Sequence, residues 1–80
     1  MNELDQRMRE IFGRLFRTDP TGLDDSSRRG ELEGWDSLAH LDLVAELEGQ
    51  FGVAITPELA LEIETMGDAK RVLGQLLGDA

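Results

Sequence analysis

The chain has 80 residues, no cysteine, one histidine and a formal net charge of −9. That length suits one small domain, residues 1–80, whose core supplies only about 3–5 kcal/mol of net stability; the missing cysteines exclude a disulfide framework and give no sign of an oxidising compartment. The acidic balance argues against nucleic acid and anionic lipid as partners, the N-terminal MNELDQRMRE lacks the apolar run of a signal peptide, and no stretch is apolar enough to span a membrane.

We therefore expect a soluble cytoplasmic domain, and the starting methionine and short tails favour a whole protein. Leucine is abundant and aromatics are few, which suits a helical core. In residues 4–16, Leu4, Met8, Ile11, Phe12 and Leu15 recur at helical spacing, with Asn2 as a possible cap and an end near Thr18. Asp19-Pro20-Thr21-Gly22 is a stop-and-turn signal, and residues 18–36 follow neither the helix nor the strand period. A loop of that length is usually functional or tied down by its own apolar residues, here Leu23 and Leu32.

The second helix is expected from Ser37 to Phe51, stopping at Gly52. Its Leu43, Val44, Leu47 and Phe51 share one face, while Leu38, Leu41, Asp42, Ala45 and Gly49 share the opposite one. Two apolar stripes exceed what the core of a small bundle requires. After the short apolar connection Val53-Ala54-Ile55, Thr56-Pro57-Glu58 combines a capping hydroxyl, a first-turn proline and an acid at the positive end of the helix dipole. That starts a short third helix, about 57–63, with Leu59 and Ile63 inward and Leu61 pointing away. Thr65 and Asp68 make a capping box for a last helix whose Ala69, Val72, Leu73, Leu76 and Leu77 form one stripe ended by Gly78. The fold class expected is all-α: a four-helix bundle, three longer helices and a short third one, with a long loop between helices one and two.

Charge is unevenly placed. Residues 1–29 balance acids against arginines, whereas residues 30–69 hold ten acids and no lysine or arginine. Such a face attracts basic protein surfaces, and without local cations it should repel itself, so that screening by salt and mild acidification would stabilise the fold.

Ser37 stands at the start of helix two with His40 one turn later, a spacing that brings the two side chains near each other. A hydrolase also needs an orienting acid, an oxyanion hole and a pocket, for which eighty helical residues leave little room, so no catalytic residue is assigned. His40 is expected instead to pack under the long loop and hydrogen-bond its backbone. One histidine and no cysteine exclude the usual zinc spacings, and an EF-hand register from Asp25 puts Arg29 where an oxygen ligand is required, so no metal site is assigned either. N-capping accounts for Asp36-Ser37 as far as it goes. It does not account for Leu38, Leu41 and Ala45 turned outward beside Asp42; a hydroxyl in that setting is what a modifying enzyme would need to find.

Gly34-x-Asp36-Ser37-Leu38, followed by Leu41-Asp42-Leu43-Val44, Glu46-Leu47-Glu48, Phe51-Gly52-Val53-x-Ile55 and Thr65-Met66-Gly67-Asp68-Ala69, resembles the acyl carrier protein family over about residues 4–77. The resemblance implies that Ser37 carries a covalent 4′-phosphopantetheine arm, flanked by Asp36 and Leu38, whose thiol holds acyl intermediates as thioesters. It implies a phosphopantetheinyl transferase as partner, with acyltransferase or ligase and ketosynthase-type enzymes docking through basic surfaces on Leu41, Asp42, Ala45, Glu46, Glu48 and Leu61. It places the acyl chain near Val44, Leu47, Ile55, Ala60 and Ile63, and implies a monomer with no enzymatic activity of its own. Trp35, Gly49, Gln50, Leu59, Leu61 and the excess of arginine over lysine depart from the fatty-acid-synthesis pattern and suggest a polyketide-type or other specialised pathway. Peptidyl carriers of nonribosomal synthesis are the nearest alternative, although Trp35 interrupts their pattern, and an acidic adaptor that carries nothing would have no use for Ser37.

Overall fold

Apolar residues three and four apart give a helix one buried stripe. The computed structural model describes residues 3–78 and contains α1 (Glu3–Phe16), α2 (Ser37–Phe51), α3 (Pro57–Glu62) and α4 (Met66–Leu76). No strand occurs among the described residues, so the chain is all-α with four helices. The cap expected at Asn2 lies outside them.

α1 buries Met8, Ile11, Phe12 and Phe16. It ends two residues before Thr18 because Arg17 turns into the left-handed region at φ 54°. α1 and α2 run antiparallel: Arg7 near the start of α1 reaches Gln50 near the end of α2, Arg14 reaches Glu46, and Phe16 meets Trp35. The end of α1 therefore supports the start of α2, where Ser37 stands.

The long first loop is anchored more firmly than two leucines could manage. Leu23 is buried and Leu32 half-buried, as the sequence suggested. A single 3-10 turn, Pro20–Gly22, is capped by the Asp19 carboxylate accepting from the Thr21 amide. Backbone bonds then join the loop to the start of α4: the Arg29 amide donates to Glu64 O at 2.9 Å, Met66 to Ser27 O at 2.9 Å and Gly67 to Asp25 O at 3.0 Å. Lys70, the only lysine, adds ion pairs to Asp25 at 2.6 Å and to Asp5 of α1. Hydrogen bonds to Asp25 and then Asp5 push its pKa above the usual lysine value.

α2 stops where Gly52 adopts a left-handed conformation at φ 65°, a position that favours glycine. α3 starts with Thr56 Oγ1 accepting from the Leu59 amide at 3.2 Å, and it ends at Glu62 with Ile63 buried just beyond it. α4 has the expected capping box, Thr65 and Asp68 each accepting from the other's amide. Leu77 is a correction: α4 ends at Leu76, Leu77 caps it, and its side chain is half exposed rather than part of the stripe.

Candidate functional site

The segment Gly34–Asp42 is held by a set of close fits. A Cβ on Gly34 would lie 2.3 Å from the carbonyl oxygen of Phe16, so glycine alone lets the loop cross the end of α1 there. Trp35 follows, buried, stacked on Phe16 at 5.0 Å between ring centroids and edge-on to Phe12 at 5.1 Å. Its indole Nε1–H donates to His40 Nδ1 at 2.9 Å. Indole is only a donor, so Nδ1 must accept, and the ring hydrogen sits on Nε2, which donates to the Ala60 carbonyl of α3 at 2.9 Å. His40 is thus buried beneath Trp35, but it bonds helix α3 and the indole rather than the loop backbone. Both ring nitrogens are committed, which leaves His40 unable to serve as a base for Ser37.

Asp36 takes the cap position, with an extended backbone and Oδ1 accepting from the Ala39 amide at 2.8 Å. Because Asp36 does the capping, the Ser37 side chain is exposed and its hydroxyl has no hydrogen-bond partner among the described residues. Leu38 and Leu41 on the same helix are 74 % and 65 % exposed, and Leu61 on α3 is 71 % exposed. Asp42 and Ala45 are exposed on the same helix.

Glu46 and Glu48 sit differently. Glu46 accepts from Gln50 at 2.6 Å and Arg14 at 2.9 Å, and these two bonds hold its carboxyl below the usual range. Glu48 accepts from the Ile55 amide at 2.7 Å. The acid-only stretch is accordingly answered from elsewhere in the fold: Arg14 meets Glu46, Arg28 meets Glu64 at 3.5 Å, and Arg71 meets Glu62 at 3.2 Å and Asp68 at 3.4 Å. Glu31, Glu33, Asp36, Asp42 and Glu58 have no ion pair among the described residues. Of the residues named for the acyl chain, Leu47 and Ile63 are fully buried, Ile55 is buried, and Val44 and Ala60 are half-buried.

Gly34, Trp35 and Arg14 were not singled out as site residues by sequence reasoning. A signal for Trp35 was present: it stands just before the cap and His40 is the fourth helical residue, the spacing of a hydrophobic staple, with ring centroids 6.0 Å apart. No comparable signal marked Arg14, whose partner is thirty-two residues away.

A family model described as "Phosphopantetheine attachment site" matches residues 6–73. An "Acyl carrier protein" of Treponema pallidum (strain Nichols) is 40 % identical over 70 residues, 86 % of this chain and 88 % of that one. Another of the same name, from Phenylobacterium zucineum (strain HLK1), is 30 % identical over 78 residues, 98 % and 99 % of the two chains. The chain belongs to the acyl carrier protein family. It is a carrier and not a catalyst, its prosthetic group is 4′-phosphopantetheine, and it works with a phosphopantetheinyl transferase and with biosynthetic enzymes. The geometry at Ser37 fits that group. The amides of Ser37 and Leu38 open a fifteen-residue helix with no partner among the described residues, so a carrier's phosphodiester at this serine would meet the positive end of α2.

Proposed function

We propose that Ser37 is the residue that bears the 4′-phosphopantetheine arm. The observation that carries this reading is the division of labour at the start of α2: Asp36 caps the helix through the Ala39 amide, and the neighbouring hydroxyl is left exposed, with no hydrogen bond among the described residues. When attached, the arm supplies a thiol that carries acyl groups as thioesters. Everything else at the site falls to the chain's own residues. Asp36 and Leu38 border the attachment point for the transferase. Leu41, Asp42, Ala45 and Leu61 form the exposed face that partner enzymes read, with Glu46 and Glu48 adding to its field from positions tied into the fold. The gap lined by Val44, Leu47, Ile55, Ala60 and Ile63 shelters acyl chains when α3 moves aside. Residues 1–80 act as one monomeric carrier domain in a polyketide-type or other specialised pathway, a reading supported by Trp35, Gly49 and Gln50 in the helix-two region.

Intact-mass measurement after incubation with coenzyme A and a promiscuous phosphopantetheinyl transferase tests the assignment. We expect one added arm on the wild type and none on Ser37→Ala, with stability changed by less than about 0.5 kcal/mol because the hydroxyl bonds nothing among the described residues. An arm on Ser37→Ala would place the attachment elsewhere.

A further inference from the structure

α3 has six residues, far below the length at which a helix holds itself in water. It stays in place through Ile63, buried at its end, through the half-buried Leu59 and Ala60, and through polar ties to its neighbours. The Arg71–Glu62 pair is half exposed on both sides and therefore weak. The tie to α2 is of another kind: a part-buried hydrogen bond from the His40 ring to the Ala60 carbonyl. That carbonyl also accepts from the Ile63 amide at 3.2 Å, so the last turn of α3 closes on the atom that His40 holds.

The tie is directional. Trp35 is two residues before Ser37 and His40 three after it, and the Trp35 indole forces the ring hydrogen onto the nitrogen that faces α3. If α3 leaves α2, a buried N–H loses its acceptor; if the ring turns to follow, the indole N–H loses its own. Moving α3 therefore disturbs the support beneath the serine.

We propose that His40 is a positioning residue, a latch that holds α3 on α2 and thereby sets which acyl groups this carrier shelters. Short acyl groups need no opening and remain outside; longer ones must break the latch to enter between α2 and α3. The inference rests on the carrier reading above and adds the substrate class: with its latch intact, the protein is tuned to short acyl groups.

Two measurements test it. In the protein without its arm, amide hydrogen exchange at Ala60 and Ile63 should quicken at least tenfold in His40→Leu while Leu47 is unchanged. His40→Gln, whose amide oxygen and nitrogen can replace the two ring nitrogens, should restore slow exchange, and imidazole ¹⁵N shifts of the wild type should report hydrogen on Nε2. Unchanged exchange in folded His40→Leu, or no rescue by glutamine, would overturn the latch. If His40→Leu does not fold, His40→Asn keeps an acceptor for the indole N–H but is too short to reach the Ala60 carbonyl; faster Ala60 exchange in it supports the latch, and unchanged exchange refutes it. With acetyl and octanoyl arms attached, loss of the two acyl groups to hydroxylamine should differ less than twofold in wild type, whereas octanoyl should be protected at least threefold in His40→Leu. Octanoyl protection already present in wild type would overturn the inference. A wild type that accepts no arm would instead overturn the carrier reading and the substrate class with it, and the exchange data would decide the latch alone.

Discussion

The segment Gly34–Asp42 has two sides that differ in almost every physical respect. On one, Gly34, Trp35 and His40 are fitted against α1 and α3 with stacked rings, a backbone contact that no side chain can enter, and fully paired nitrogens. On the other, Ser37, Leu38, Leu41 and Asp42 face outward with neither hydrogen bond nor ion pair from their side chains among the described residues. The contrast shows how one short stretch can serve two ends: rigid support keeps the serine at a fixed place, and an unengaged surface leaves it available. Changes on the first side should cost stability, and changes on the second should cost partner reactions.

The largest effect is expected from Gly34→Ala. A methyl 2.3 Å from the Phe16 carbonyl oxygen forces the loop off α1, and we expect a loss of about 3 kcal/mol in urea unfolding, enough to unfold much of a domain this small. A near-neutral result would show that the support is soft. Asp36→Ala lies on the boundary between the two sides. Losing the bond to the Ala39 amide should cost about 1 kcal/mol by the same measurement.

The smallest effect concerns acid. Every carboxylate whose shift is resolved has its pKa lowered in the fold: Asp5 by Lys70, Asp19 by Thr21, Asp24 by Ser26, and Glu46 by Gln50 and Arg14. For Asp68, burial pushes upward, but the Glu64 and Thr65 amides and Arg71 outweigh it. A lowered folded pKa means that the unfolded chain binds more protons, so this stabilisation is complete above the unfolded values near pH 4 and is lost as pH falls through the folded ones. We expect the urea midpoint to fall modestly below about pH 4.5. The reverse trend, expected from the bare run of acids, would mean that the arginine pairs are not formed in solution.

That reversal marks the limit of what could be read from the sequence. Helix boundaries were legible because their signals are local: the Thr56 and Thr65 caps, Pro57 and Gly52 lie within a turn of what they control. The proposal for Ser37 likewise rests on a contiguous motif. The pairing of Arg14 with Glu46, the backbone bonds between residues 25–29 and 64–67, and the path from Trp35 through His40 to Ala60 join distant parts of the chain. No periodicity encodes them. Leu77 failed for a related reason: it continues the stripe of α4, but the helix ends before it.

The most direct test of the division between support and reading face is the rate of arm transfer to Ser37, measured against salt for wild type, Asp42→Lys and Glu46→Lys. Asp42 has no ion pair among the described residues, so its reversal should slow transfer about tenfold at low salt, and the difference should shrink as the Debye length falls from ~30 Å at 0.01 M to ~10 Å at 0.1 M. Glu46→Lys sets a cation against Arg14 and should show its main effect as a lowered urea midpoint. Equal transfer rates for wild type and Asp42→Lys at low salt would contradict the claim that partners read the open side of this segment.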